Sequence, residues 1–455
     1  MDLDFILDST KGRLLSGKTT SFFSGVSTDT RNITKDEIFF ALKGANFNGQ
    51  DFIEEAFHNG AIGAVVESPF RQEINDKVLI QVPSTLKALG DLATSWRMSF
   101  PDLKVAAITG SNGKTTTKEM TWSIVSLKHT TLKNTGNFNN LIGLPLTLFE
   151  LNADYSAAVV ELGMNDFGEL ERLSEIARPD IGAITNIGHA HLEKLGGLDG
   201  VAKAKGELVH NFNEDNIFVV NIDDPRVERI SSTLNCQKIT YGINSKDAMI
   251  SAHSIESNDL SNIKFKMNIS GKEFPVSIKG IGLHNVMNAL CAAGIAQSLG
   301  CDITQIQEGL TSYTPTHMRL EVLDTPYGFK IINDAYNSNP DSMKRAIDEL
   351  VRLKGEGKGI AVLGDMLELG DGSEHEHLGI GKYLSSSGVD GVIVFGKFAP
   401  KILEGCNNSA SGLLATTHEE AAKMLIDLAK PEDLVLVKGS RGSRMELVIK
   451  ALLKE

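Results

Sequence analysis

The stretch Ile108-Thr-Gly-Ser-Asn-Gly-Lys-Thr-Thr116 carries the residue types needed to hold a phosphate. It follows the apolar run Val105 to Ile108 and opens a segment of helical character. Gly110 and Gly113 allow the sharp turn that aims several backbone N–H groups at one anion. The start of a helix adds the positive end of its dipole. Lys114 can reach the outer phosphates and Thr115 can ligate magnesium, while Thr109, Ser111, Asn112 and Thr116 complete the loop. ATP or a close relative is the expected ligand. The spacing is unusual, because the common phosphate loop has four residues between its first glycine and the Gly-Lys pair. Here only Ser111 and Asn112 separate Gly110 from Gly113.

Other reactive residues fall after apolar strands. Glu161 ends Ala157-Ala-Val-Val-Glu161, where ligands gather on a parallel sheet and a carboxylate suits magnesium. Thr185-Asn-Ile-Gly-His-Ala-His-Leu-Glu193 follows the next strand. Its His191 can either ligate a metal or orient Glu193. Lys203 and Lys205 lie in a helical stretch. Asn285 and Asn288 share a helix face at i,i+3, with Asn285 either capping the helix or reading adenine. Arg319, Asp334, Asn337 and the turn signal Asn339-Pro340 flank the start of the last region, where Asp334 can accept ribose hydroxyls. Lys438-Gly-Ser-Arg-Gly-Ser-Arg444 is suited to a carboxylate or phosphate.

The elements that must position these residues fall into three regions of an α/β chain. Residues 1–101 read as a small α/β domain of short strands and one helix. Residues 102–313 read as a phosphate-loop ATPase sheet of mostly parallel type. Its strands lie at Ala157 to Val160, Ile181 to Ile184 and Ile217 to Val220, with an antiparallel strand near 263–269 and a helix over about 285–298. Residues 314–455 alternate as a Rossmann-like domain. Strands are predicted at 329–332, 360–363, 392–395 and 434–437, and helices near 342–352, 375–385, 419–428 and 445–453. No GxGxxG fingerprint supports a bound dinucleotide.

The 455 residues, 41% of them apolar, suffice for several packed cores. The net charge of −13 argues against nucleic acid or an anionic membrane as the main partner. Four dispersed cysteines, Cys236, Cys291, Cys301 and Cys406, fit a reducing compartment and no zinc site. No apolar run approaches the ~20 residues that span a bilayer, and the acidic start lacks a signal-type core. A cytoplasmic protein is expected, without membrane insertion, and as a monomer.

The set of motifs resembles the Mur ligase family, which joins carboxylates to amines using ATP. The pieces are Thr109 to Thr116, Asn134-Thr-Gly-Asn-Phe-Asn-Asn140, Glu161-Leu-Gly, His189-Ala-His-Leu-Glu193, Lys203-Ala-Lys205, His284-Asn-Val-Met-Asn-Ala289 and Asn333-Asp-Ala-Tyr-Asn-Ser-Asn-Pro340. They span nearly the whole chain in the family's order. Ser27-Thr-Asp-Thr-Arg31, Leu363-Gly-Asp-Met-Leu-Glu-Leu-Gly370 and Val437-Lys-Gly-Ser-Arg441 resemble the members that add D-alanyl-D-alanine. No Asp-Asn-Pro-Arg motif appears, which disfavours the ligase for the third residue.

The resemblance implies UDP-N-acetylmuramoyl-tripeptide and D-alanyl-D-alanine as substrates, joined through an acyl phosphate. It implies Thr115, Glu161, His191 and a carbamylated Lys205 as magnesium ligands, with Lys114, His191 and Lys205 catalytic. Asn285, Asn288, Arg319, Asp334 and Asn337 would hold ATP. Thr28, Asp29, Arg31, Asn137, Asn140, Lys438 and Arg441 would hold the other substrates. Closure of the last region on the central one is expected, because the ATP groups are divided between them. Two other readings are a folylpolyglutamate synthase-like ligase and a non-catalytic nucleotide-binding relative. About 100 residues before the loop count against the first, and the presence of Lys114, Thr115, Glu161, His191 and Lys205 counts against the second.

Overall fold

In the computed structural model the chain is an α/β protein whose strands form three sheets. It describes residues 1–453 except 19–20, 45, 71–73, 75, 190–191, 258 and 408–410. The chain divides into two units, one of residues 1–107, 129–164 and 168–180, the other of 108–128, 165–167 and 181–455.

The first unit begins with β1 (Arg13–Ser16), β2 (Val26–Ser27), β3 (Ile38–Phe40), β4 (Gly63–Glu67) and β5 (Val78–Val82). They pair in the order β1-β5-β4-β3-β2, parallel except for β1 against β5. Phe23, Ile38, Phe40 and Ile80 fill one side, together with Leu3 and Ile6. Three α-helices, Leu3–Thr10, Ile53–His58 and Thr85–Met98, stand where the sequence pattern predicts one. The first two have only 8 and 6 residues, too few turns for a helical period to emerge. The sequence marks the start of the first by Asp2, whose carboxylate accepts the Phe5 N–H at 2.8 Å.

β6 (Lys104–Thr109) leads from the first unit into the phosphate loop. β7 (Thr131–Lys133) and β8 (Ala157–Glu161) pair in parallel, and all five residues of β8 are buried. Arg97, at the end of the third helix, is itself buried. Its Nε donates to the Ala177 carbonyl at 3.2 Å, and its Nη2 to the Leu103 and Arg178 carbonyls, each at 3.2 Å. Burial lowers the guanidinium pKa and nearby Asp180 opposes that shift.

The second unit continues with β9 (Ile181–Ile184), β10 (Ile217–Asn221), β11 (Gln237–Gly242), β12 (Ile250–Glu256), β13 (Asn262–Ile269) and β14 (Lys272–Lys279). β9 to β12 run parallel, and β12, β13 and β14 form an antiparallel meander. Ile263, Phe265, Met267 and Ile269 turn inward along β13, the alternation that marks a half-buried strand. The helix over Leu283–Ser298 starts two residues before the predicted 285.

The last region holds β15 (Glu321–Asp324), β16 (Lys330–Asp334), β17 (Gly359–Leu363), β18 (Gly391–Phe395), β19 (Ser411–Ala415) and β20 (Leu434–Lys438). Their order is β15-β16-β20-β17-β18-β19, parallel except for β15 against β16. The predicted strands and helices of this region are present. Two edge strands, β15 and β19, and the helix Ala399–Cys406 come in addition. Edge strands are half-exposed, so β15 and β19 lack the continuous apolar run that betrays the central four. β20 enters last, between β16 and β17. Its register sets Lys438 opposite both Asp334 and Leu363.

Replacing Arg97 by Ala strands two buried carbonyls, those of Ala177 and Leu103, and the part-buried carbonyl of Arg178. We expect a loss of about 3 kcal/mol in urea unfolding. Arg97→Lys should restore little, because one ammonium cannot reach the same carbonyls as the forked guanidinium.

Candidate active site

The phosphate loop folds as its glycines require. Gly110 has φ +148° and Gly113 φ +82°, a region costly for side chains. A Cβ on Gly110 would lie 1.9 Å from Thr185 Oγ1, and one on Gly113 2.3 Å from Asn288 Oδ1. Gly113 is the N-cap of the helix Lys114–Val125, and no side chain caps that end. Lys114 folds back over the loop, its Nζ donating to the Gly110 carbonyl at 2.9 Å.

The loop rests on the segment after β9. Thr185 Oγ1 and Asn186 Nδ2 donate to the Asn112 carbonyl at 2.6 and 3.0 Å. The Asn112 N–H donates to Asn186 Oδ1 at 3.1 Å, and the Ser111 N–H to the Asn186 carbonyl at 3.0 Å. Ser111 Oγ donates to the Gly188 carbonyl and accepts the Gly188 N–H, at 3.0 and 2.8 Å. Thr185 and Asn186, read from sequence only as the approach to two histidines, thus build the floor of the loop.

Asn285 and Asn288 share one buried face of the helix Leu283–Ser298. Asn288 Oδ1 accepts from Thr117 Oγ1 at 3.3 Å, and its Nδ2 donates to Asn285 Oδ1 at 3.0 Å. The N-cap is Gly282, not Asn285. Glycine at φ +95° makes the entry, and Asn285, one turn in, donates back to the Ile281 carbonyl at 2.7 Å.

The start of the helix Pro340–Leu353 meets the loop region. Asn339 caps this helix, accepting the Ser342 N–H, while its Nδ2 donates to Asn112 Oδ1 at 3.0 Å. Asp341 takes the His189 N–H at 2.8 Å and His189 Nδ1 at 3.0 Å. Burial alone would raise the Asp341 pKa. The His189 hydrogen bonds, with its ring and Arg345 nearby, outweigh burial and lower it. Among the described residues, Asn112 Nδ2 is buried without a hydrogen-bond partner.

β20 supplies the central ion pair of the last region. Lys438 is only 1% exposed, and its Nζ donates to Asp334 Oδ2 and to the Asn337 carbonyl, at 2.5 and 3.0 Å. Burial lowers the ammonium pKa, Asp334 opposes, and Arg319 and Arg345 add to the lowering. Lys438 is therefore an internal partner of Asp334 and not an exposed member of a basic loop. Asp334 Oδ1 accepts the Leu320 N–H at 3.2 Å. The Arg319 guanidinium lies 4.1 Å over the Tyr336 ring, with Nε buried and without a hydrogen-bond partner among the described residues. Asn337 Oδ1 accepts the Ser338 N–H at 2.9 Å. Exposed Arg441 donates to Glu446 Oε1 at 3.2 Å.

Two groups of this cluster escaped the sequence reading. Arg345 Nη2 is buried without a hydrogen-bond partner among the described residues. His284 is pushed down to about 3, by burial first and then by Arg345 and Lys438. Its place immediately before Asn285 was the available signal.

Among the magnesium-ligand candidates, Thr115 is buried in the first turn after the loop. Lys205 is 1% exposed in the helix Leu198–Gly206, whereas exposed Lys203 sets its ammonium 5.5 Å from the Phe167 ring centre. His191 lies outside the described residues. Among the described residues no three of His, Cys, Asp and Glu form a metal cage.

In the first unit, buried Glu161 is held by Asn134 and Asn139. Asn137 is exposed, and Asn140 Oδ1 accepts the Ile142 and Gly143 N–H groups at 3.1 and 2.9 Å, fixing a turn. Thr28 is half-buried. Asp29 accepts from Arg31 Nε and Nη2 at 2.9 and 2.6 Å, which lowers the carboxyl pKa. Arg31 is 82% exposed, so this pair adds little to stability and its guanidinium faces solvent.

A phosphate loop in an α/β chain with a separate Rossmann-like sheet is the frame of an ATP-dependent ligase, and the comparisons agree. Residues 23–97 match the family model for the Mur ligase catalytic domain, 108–296 that for the Mur ligase middle domain, and 318–441 that for the glutamate ligase domain. The chain is 36% identical over 433 residues to the UDP-N-acetylmuramoyl-tripeptide–D-alanyl-D-alanine ligase of Bacillus subtilis, covering 94% of this chain and 93% of that one. It is 33% identical to the Escherichia coli ligase of the same name, covering 99% and 98%. The MurF structure from Acinetobacter baumannii superposes with a TM-score of 0.92 at 32% identity, over 100% of this chain and 99% of that one. Thermotoga maritima MurF, in complex with ADP, gives 0.83 at 29% identity, covering 95% and 97%. The chain belongs to the Mur ligase family.

The ordinary histidine pKa is about 6.5. Between that value and about 3 the unfolded chain binds a proton at His284 that the folded chain does not. Its contribution to stability is complete above pH 6.5 and is lost as the pH falls toward 3. Urea unfolding at pH 7 and pH 5 should show His284→Gln less acid-sensitive than the parent, by roughly 1–2 kcal/mol.

Proposed function

We propose that the protein joins D-alanyl-D-alanine to UDP-N-acetylmuramoyl-tripeptide, as a cytoplasmic, monomeric enzyme of peptidoglycan precursor synthesis. The observation that carries this reading is the phosphate loop, seated on Thr185 to Gly188 and hydrogen-bonded through Asn112 to Asn339. Relatives that carry this name match over nearly the full chain. No described helix is long and apolar enough to cross a membrane. We assign residues 1–101 to the UDP-substrate, 102–313 to ATP and 314–455 to the ligation step.

The terminal carboxylate of the tripeptide attacks the γ-phosphorus of ATP, the bond to the β–γ bridging oxygen breaks, and ADP leaves. The amine of D-alanyl-D-alanine attacks the acyl phosphate, loses a proton and expels phosphate, which leaves the amide. The first step brings anions together, so positive charge must be placed beforehand. Lys114 and the N–H groups at the uncapped start of its helix supply it at the outer phosphates. Asn285, Asn288, Arg319, Asp334 and Asn337 hold the nucleotide. Thr28, Asp29 and Arg31 hold the uridine end, Asn137, Asn140 and Arg441 serve the muramoyl and peptide parts, and buried Lys438 acts on them through its pair with Asp334.

Thr115, Glu161, His191 and Lys205 are the assigned magnesium ligands, and the bound ion would neutralise phosphate oxygens. A lysine as buried as Lys205 must be partnered or chemically changed. Carbamylation would turn its cation into an anionic oxygen donor.

Phosphate release should require the UDP-linked tripeptide and D-alanyl-D-alanine together; release indifferent to both refutes the reading. Lys114→Ala should keep the fold and cut ligation by at least about a hundredfold, near 3 kcal/mol of transition-state stabilisation. Lys205→Ala should fall by a similar factor and regain activity with added short carboxylic acids. Full activity without them would exclude the carbamate.

A further inference from the structure

The loop Asn134 to Asn140 is built around Glu161. Asn134 reads the backbone of that residue on both sides. Its Oδ1 accepts the Glu161 N–H at 2.9 Å, and its Nδ2 donates to the Glu161 carbonyl at 2.8 Å. The same Nδ2 donates to the Phe138 carbonyl at 2.9 Å, which folds the loop back on itself. That return delivers Asn139 to the side chain, where its Nδ2 donates to Glu161 Oε1 at 2.9 Å. The Asn139 carbonyl accepts the Gly163 N–H at 2.8 Å, and a Cβ on Gly163 would stand 3.0 Å from the Asn139 side chain. Asn139 is thus fixed from two directions.

A glutamate at a strand end has three torsions to settle, and its terminal torsion is soft. An amide donor on one oxygen sets the plane of the carboxylate. The donor is neutral and adds no counter-charge of its own, as lysine or arginine at that position would. Partners that orient ligating groups typically change metal affinity by about 10–100-fold.

We propose that Asn139 is a positioning residue that holds the Glu161 carboxylate in the plane required by the divalent cation of the nucleotide complex, with Asn134 clamping the backbone beneath it. The inference rests on the assignment of Glu161 as a magnesium ligand. It gives the motif Asn134 to Asn140 a second task beside the substrate contacts assigned to Asn137 and Asn140.

The test uses Mn²⁺ with ADP on the intact enzyme, read by electron paramagnetic resonance, alongside the Mg²⁺ dependence of ligation. Asn139→Ala should weaken Mn²⁺ binding in the ADP complex about tenfold. It should raise the Mg²⁺ needed for half-maximal rate by a similar factor and leave KM for the UDP-linked tripeptide unchanged. The nearly isosteric Asn139→Leu, which loses the donor without adding a charge, should weaken Mn²⁺ binding by a similar factor and guards against a packing artefact in the alanine variant. Glu161→Gln is the reference. If it weakens Mn²⁺ binding while both Asn139 variants match the parent, the positioning role is overturned. If Glu161→Gln itself binds Mn²⁺ like the parent, the ligand assignment of Glu161 falls and the inference with it.

Discussion

The site depends on a space too small for a methyl group. Gly110 approaches Thr185 so closely that any side chain at 110 would occupy the hydroxyl that holds Asn112 in place. Gly113 stands in the same relation to Asn288. The loop is therefore defined from outside, by groups on the segment after β9 and on the helix Leu283–Ser298. Its shortened spacing follows the same logic. Two residues between the glycines make a tight arch, and both are engaged. Ser111 exchanges hydrogen bonds with Gly188, and Asn112 is held through its carbonyl, its N–H and its side chain. A longer arch would need other supports.

A second polar core lies under the last region. Lys438 and Asp334 are buried together, with Arg319 and Arg345 close enough to depress the lysine. Burial first, and then the cations Arg345 and Lys438, keep His284 neutral, and that residue sits next to Asn285 at the start of the helix whose other amide faces Gly113. Asp341 and Asn339 complete the link, since one turn of backbone both starts a helix and grips the loop region. In this second unit the glycine loop is hydrogen-bonded to Asn339, and Lys438 donates to Asp334 and to the Asn337 carbonyl on the same stretch of chain.

Much of this was legible from local pattern. β9 lies at the residues its apolar run predicts, and the strands and helices of the last region lie within a few residues of expectation. The α/β class and the glycine loop followed from short-range signals. The omissions share a cause. Edge strands β15 and β19 are half-exposed, and the helices Leu3–Thr10, Ile53–His58 and Ala399–Cys406 are too short to display a period. Asn139, Asn186, His284 and Arg345 gain meaning only from partners distant in the chain. A single asparagine in Asn-Phe-Asn-Asn says nothing of which one turns toward a glutamate 22 residues away. The exposure of a lysine is equally hidden. Lys438 reads as part of a basic loop until the sheet order places Asp334 beside it.

That sheet order also imposes a timetable. β16 and β17 are joined through β20 alone, and β20 comes from residues 434–438. A nascent chain that has emerged only to residue 430 holds Asp334 without its lysine and two strand edges without their shared neighbour. Such an intermediate exposes two unpaired strand edges to other chains and lacks the buried ion pair. The phosphate loop, made more than three hundred residues earlier, therefore waits through most of synthesis for its partner region. The Lys438–Asp334 pair therefore forms only once one of the last strands has been translated.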